Sequence, residues 1–279
     1  MYEDVLLLII IIGSICTVIA AVRYARILMV DAPNVAWLTQ YDYAHRGLHG
    51  GDGVPENSLA AFQRAVREGC AIEMDIRLTR DGHLVVFHDG NLLRMTGLFE
   101  KVRRLGLAGL KELQLEGTDE RIPTLREALL LVDGSVPILF ELKSAGITGR
   151  LERKFYNEIK QYNGRFAVQS FSPWSLRWFR RNAPHIPRGQ LAFDIRFCGA
   201  SMCAWKMHFL RLLLQWQQHI ELNYLCRPHF ISYEYHGVDK KILRKLRQRG
   251  APVLAWTVRD RERIAEIRRH ADAVIFEEC

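Results

Sequence analysis

Apolar residues recur along this chain in two rhythms. Short runs rich in β-branched and aromatic residues alternate with longer stretches in which apolar residues return every three or four positions. The short runs predict strands over 41–45, 70–77, 84–88, 136–142, 166–171, 189–193, 229–234, 252–258 and 272–276. The longer stretches predict helices over 58–68, 124–132, 150–161, 174–182, 204–222, 239–249 and 260–269. Helix 58–68 has a legible start, with Ser58 placed to cap it and Leu59, Phe62 and Val66 forming one apolar stripe.

Repeated strand-then-helix order calls for a parallel sheet. At 279 residues, with no G-x-G-x-x-G turn, a closed (β/α)8 barrel of the TIM type fits better than an open doubly wound sheet. Nine strand-like runs are one too many for such a barrel. The surplus has a local cause in Asp81-Gly82, a strong hairpin signal. If those two residues form the turn, 70–77 and 84–88 make an antiparallel ribbon with Asp75 opposite His88.

The first residues follow a different pattern. Val5 to Val22 contains no charged residue and is long enough to cross a bilayer as a helix. Glu3 and Asp4 stand where a cleaved signal peptide would be basic, so an anchor is expected instead. The expected division is an N-terminal transmembrane anchor over 1–30, a linker over 31–40 and a barrel domain over 41–279. Arg23 and Arg26 follow the apolar run, which by the positive-inside rule puts the barrel on the cytoplasmic side.

Composition narrows the partners. A formal net charge of +8 suits anionic lipid headgroups or phosphorylated small molecules. The basic residues are dispersed and no nucleic-acid module is recognisable, so nucleic acid is not an expected partner. The six cysteines have no regular spacing and read as reduced thiols rather than a disulfide framework.

The chemistry concentrates in four runs: His45-Arg46, Glu73-Met74-Asp75, His88-Asp89 and Glu141-Leu142-Lys143. Each lies at the end of an apolar run. Glu73 and Asp75 share a face of an otherwise apolar strand, and Lys143 shares one with Glu141. Buried like charges require a cation. One reading is a carboxylate pair at the barrel rim neutralised by Arg or Lys. The other is a hard, all-oxygen site for one divalent cation, Mg2+ or Ca2+, rather than zinc. Two imidazoles could exchange protons near neutral pH, and Arg46 and Lys143 could hold phosphoryl oxygens. That inventory suits cleavage of a phosphate ester.

The run HRGLHGGDGVPENSLAAFQRAVREGCAIEMDIRLTRDGHLVVFHD resembles the opening of the glycerophosphodiester phosphodiesterase family, with H-R-G, P-E-N-S, E-x-D, T-x-D-G and H-D in order. The resemblance continues through Glu141-Leu-Lys143, Gln169-Ser-Phe171 and Trp256-Thr-Val258, and covers roughly residues 41–276. It implies a phospholipase-C-like TIM barrel, a divalent cation, and hydrolysis of glycerophosphodiesters to glycerol 3-phosphate and an alcohol. Carried over by position, His45 and His88 are the acid/base pair, and Glu73, Asp75 and Glu141 are the metal ligands. Arg46, Lys143 and Trp256 become substrate contacts. Glu56 either supports Arg46 or is a simple helix-start carboxylate.

Lysophospholipase D-type cleavage at the same site, and a non-catalytic binding barrel, are the alternatives. Membrane lipids and lysophospholipids join glycerophosphodiesters as expected partners. Two departures from the family pattern stand out. The chain ends Phe276-Glu277-Glu278-Cys279 instead of in a Thr-Asp turn and closing helix, so a wall lacking its eighth helix is expected. The stretch 197–226 is long, and Trp205, Phe209, Leu212, Leu213 and Trp216 predict either an outer barrel helix or a lid at the mouth.

Overall fold

A computed structural model describes residues 7, 10–18, 21, 35–51, 53–144, 149–194 and 223–277. Among them, one sheet contains β1 (Tyr43–Ala44), β2 (Ala71–Leu78), β3 (Leu84–Val86), β4 (Ile138–Leu142), β5 (Phe166–Ser170), β6 (Arg188–Ala192), β7 (Phe230–Glu234), β8 (Val253–Val258) and β9 (Ala273–Phe276). β1 pairs in parallel with both β2 and β9, so eight parallel strands close into a TIM-type barrel. β3 is the surplus strand, lying antiparallel on Ile76–Leu78, where β2 runs on past β1.

After the N-terminal segment, the α-helices among the described residues are α1 (Leu59–Arg67), α2 (Leu93–Thr96), α3 (Leu107–Lys111), α4 (Leu125–Val132), α5 (Arg150–Ile159), α6 (Pro173–Asn182), α7 (Asn223–Cys226), α8 (Lys241–Gln248) and α9 (Ile264–Ile267). Their starts follow from local chemistry. Ser58 accepts a hydrogen bond from the Ala61 amide, Thr124 and Glu127 form a capping box, and Ser172 caps α6 with Pro173 at its first position.

Period-two alternation divides the core. Tyr43, Ala71, Leu139, Ala167, Phe230, Leu254, Ala273 and Ile275 form the cluster inside the barrel, joined by Trp37 and Leu38 from just ahead of β1. Positions one residue along, such as Ile72, Met74, Phe140, Val168, Ile231 and Val253, pack outward against Phe62, Leu125, Phe155, Phe179 and Leu243 of the helices. A third cluster of Val85, Phe87, Leu92, Met95, Val102, Leu110, Leu115 and Ile122 supports the excursion between β3 and α4.

The hairpin register differs from the expected one. Ile76 pairs with Val86, and Thr79 closes the loop with His83, so Arg80, Asp81 and Gly82 make a three-residue turn. Asp75 therefore bonds to Phe87 through its carbonyl, and His88 falls beyond the ladder. The extra residue is held because the Asp81 carboxylate reaches out of the turn to accept from the Leu107 amide at 3.0 and 3.2 Å. Gly82 supplies the left-handed residue such a loop requires, at φ +85°.

The expected membrane-spanning helix, and with it the single-pass location and cytoplasmic orientation, is corrected. Among the described residues no helix is long and apolar enough to cross a membrane. Residues 7, 10–18 and 21 of the segment are helical. The other positions between Val5 and Val22 lie outside the described residues. The helix expected over 204–222, with its outer-wall and lid readings, also lies outside them. After β9 the described chain continues only to Glu277, and the barrel closes there through strand pairing with β8 and β1.

Candidate active site

The inward-facing positions change from apolar to polar toward the C-terminal ends of the strands. Ala71 is followed two residues on by Glu73 and then Asp75; Leu139 by Glu141 and Lys143; Ala167 by Gln169; Phe230 by Ser232; Leu254 by Trp256; Ile275 by Glu277; and Tyr43 by His45. Parallel register sets Asp75 beside Glu141 and Glu141 beside Gln169. Chemistry-bearing side chains from distant segments thus meet at the end of the barrel where TIM-type enzymes carry their sites.

Glu73, Asp75 and Glu141 are buried, and each offers an oxygen within 4.8 Å of the others. Lys143 Nζ lies 3.0 Å from Asp75 Oδ1 and 2.5 Å from Glu141 Oε1. The Arg46 amide donates to Glu73 Oε2 at 3.1 Å, and its guanidinium Nε is 3.5 Å from Asp75 Oδ2. Gln169 Nε2 is 3.5 Å from Glu73 Oε1 and is itself fixed by Ser232, whose hydroxyl donates to Gln169 Oε1 at 2.7 Å. Asn57 grips Asp75 twice, donating to Oδ2 at 2.8 Å and accepting from its amide at 3.3 Å.

Two cations face three carboxylates, and the titration behaviour reflects the imbalance. Burial, with Asp75 and Glu141 adding to it, raises Glu73 well above the usual carboxylate range. Burial would raise Asp75 too, but Lys143, His88 and Arg46 hold it far below that range. Glu141 is raised by burial despite Lys143. The site therefore lacks positive charge, and an all-oxygen donor set of this spread fits a hard divalent cation.

Both imidazoles commit one nitrogen to a carboxylate. His45 Nδ1 is 2.6 Å from Glu277 Oε1, whose other oxygen accepts from Arg259 Nε at 2.6 Å. His88 Nδ1 is 2.7 Å from Asp89 Oδ1. Ionised carboxylates accept, so Nδ1 carries the hydrogen in each ring and Nε2 is left for chemistry. His45 Nε2 lies 4.0 Å from Glu73 Oε2. Burial lowers both imidazoles, His88 to about 4.

A chain of ion pairs joins the two histidine loops. Arg46 donates to both oxygens of Glu56 at 2.9 Å. Arg94 forks onto the same carboxylate at 3.0 and 2.6 Å and reaches Asp89 at 2.8 Å. Glu56 thus sits on Arg46 rather than merely starting a helix. Asn57, Arg94 and Glu277 were not among the expected site residues. Glu277 had a readable signal, a polar residue directly after the last apolar strand; Arg94 had none.

These groups surround a cavity of about 170 Å³ lined by His45, Arg46, Glu73, His88, Glu141, Lys143, Gln169, Phe171 and Trp256 among others. Trp256 stands edge-on to Phe171 at 5.6 Å, and its buried Nε1 has no hydrogen-bond partner among the described residues. Every residue expected at the site reaches this cavity wall or its immediate backing, Asp75 and Glu56 forming the latter.

Comparison with known proteins agrees with the geometry. A glycerophosphodiester phosphodiesterase of Caldanaerobacter subterraneus subsp. tengcongensis is 32% identical over 250 residues, covering 84% of this chain and 93% of its own. The human glycerophosphodiester phosphodiesterase 1 is 31% identical, covering 77% of this chain and 70% of its own. Among solved structures, an Oleispira antarctica phosphodiesterase in complex with the product sn-glycerol-3-phosphate superposes with a TM-score of 0.69 at 26% identity, covering 85% of this chain and 92% of that one. A Thermotoga maritima glycerophosphodiester phosphodiesterase gives a TM-score of 0.64 at 26% identity, covering 85% and 94%. The profile of the glycerophosphoryl diester phosphodiesterase family matches residues 45–278, and the chain belongs to that family of phosphoric diester hydrolases.

Proposed function

We propose that this chain hydrolyses glycerophosphodiesters to glycerol 3-phosphate and an alcohol, using the groups around the 170 Å³ cavity. The observation that carries the reading is the pair of imidazoles, each braced through Nδ1 by a carboxylate, flanking three clustered carboxylates. Glu73, Asp75 and Glu141 would hold Mg2+ or Ca2+, which when bound withdraws charge from the phosphoryl oxygens. Arg46 and Lys143 orient the phosphate and oppose its growing negative charge. His88, neutral because burial lowers it, takes the proton of the attacking oxygen. His45 returns a proton from Nε2 to the departing alkoxide, with Glu277 behind it supporting the protonated ring. Trp256 Nε1 is a free donor for the substrate.

The test is release of glycerol 3-phosphate from glycerophosphoethanolamine with added MgCl2 or CaCl2. Activity that EDTA removes is expected. His88→Ala should cost about 10²- to 10⁴-fold in kcat with unchanged far-UV circular dichroism. Near-wild-type turnover in that variant overturns the assignment. A substrate lacking the glycerol 2-hydroxyl separates direct attack by water from a cyclic phosphate route, since unimpaired turnover excludes the latter.

A further inference from the structure

We infer that the preferred substrate is a diester whose alcohol is a polyol bearing its own phosphomonoester, and that this second phosphate is received by a basic cavity beside the catalytic one. The inference rests on the phosphodiesterase reading above. The cavity has a volume of about 680 Å³, larger than the one at the carboxylates, and Lys143 lines both. Its wall carries Arg77, Arg80, Lys101, Arg103, Lys143 and Arg150 against one carboxylate, Glu152. Over the whole chain the ratio is 39 basic to 31 acidic residues, so six to one is a local accumulation and not the chain average. A solvated basic face ordinarily intersperses acids among its cations. Here Arg80, Lys101, Arg103 and Arg150 have no ion-pair partner among the described residues. Arg77, on the wall of the larger cavity, uses Nε and Nη2 on the carbonyl of His88, which lines the smaller one. Uncompensated cations lining a concavity focus positive potential on whatever enters it.

Glu152 adds the second half of the ligand's description. It is 1% exposed, and neither of its carboxylate oxygens has a hydrogen-bond partner among the described residues. It lies in the first turn of α5, where the helix N-terminus tolerates negative charge. A buried carboxylate without a donor is costly, and such groups are nearly always satisfied. A polyol hydroxyl satisfies it, while the phosphomonoester on the same ring meets the arginines. A purely anionic ligand would leave Glu152 unpaired, and a neutral polyol would leave the cations uncompensated.

The probes are glycerophosphoinositol and glycerophosphoinositol 4-phosphate, compared by kcat/KM in the presence of MgCl2. The phosphorylated diester is expected to win by about tenfold or more, mainly through KM, and the ratio should fall as KCl rises because the cations are exposed and screened. In the double variant Arg80→Ala with Arg103→Ala the ratio should drop toward one. A wild-type ratio near one, a ratio indifferent to KCl, or a double variant that keeps the preference overturns the inference alone. A protein that cleaves neither compound overturns the proposed function and this inference with it.

Discussion

At the scale of single residues, Glu277 sets what His45 can do. Its carboxylate at 2.6 Å from Nδ1 fixes the tautomer and opposes the burial that lowers the imidazole. Glu277→Gln keeps the shape and removes the charge, so the His45 pKa falls further. With His45 as the acid, the basic limb of the kcat–pH profile should move to lower pH, and kcat should drop on the order of tenfold to a hundredfold with KM little changed. A profile identical to wild type would leave Glu277 a structural role only. Most of the site was legible because the signal is local: an apolar strand, then polar residues two apart, as in Ala71, Glu73 and Asp75. Glu277 obeys the same rule after Ile275, although it stands in an ending that departs from the family pattern. Asn57 and Arg94 were not legible in the same way. Asn57 reaches Asp75 from a left-handed conformation, φ +54°, and Arg94 reaches Glu56 across 38 positions through loop geometry that no spacing encodes.

Between residues and the whole stands the β1–α1 connection, which places Arg46. Arg46 and Gly47 are both left-handed, at φ +57° and +82°. A Cβ on Gly47 would lie 2.9 Å from the Ala61 Cβ and 3.0 Å from the Ala61 carbonyl carbon, so the loop rests directly on α1. Gly47→Ala adds left-handed strain of about 1–2 kcal/mol and a steric clash on top. The urea midpoint should fall accordingly, and activity should fall with it because the Arg46 amide is drawn off Glu73. A loss below about 0.5 kcal/mol would mean the loop relaxes without effect. The long elements were readable from periodicity, their helix limits falling within two residues of expectation from α1 to α8 wherever both are described. The excursion over 88–123 was not, because α2 and α3 have four and five residues, too few for a period to show. The hairpin register slipped by one because the outward pull of Leu107 on Asp81 is a tertiary contact.

For the barrel as a whole, packing and charge balance each make a demand. Inside, Gly189 is register partner to Phe230, and a Cβ on Gly189 would come 2.1 Å from the ring. Phe230 is fully buried and has no solvent to swing into, so Gly189→Ala should cost about 1–3 kcal/mol in urea unfolding. Phe230→Leu should recover part of it in the double variant, whereas additive losses would place the strain elsewhere. Charge imposes the larger condition. Arg46 and Lys143 leave the three carboxylates short of positive charge, and burial together with Asp75 and Glu141 raises Glu73, favouring its protonated form. A carboxyl raised in the folded state stabilises the fold at low pH, and that contribution is lost as pH rises from the ordinary glutamate range through the raised value. A divalent cation competes with the same proton, so its binding is favoured where the proton leaves. The increase in Tm on adding MgCl2 or CaCl2 should therefore be larger at about pH 8 than at about pH 5, and the pH dependence should weaken in Glu73→Gln. At a hundredfold excess over Kd the stabilisation is about 2.7 kcal/mol. An increase independent of pH, or undiminished in Glu73→Gln, would remove Glu73 from the metal site.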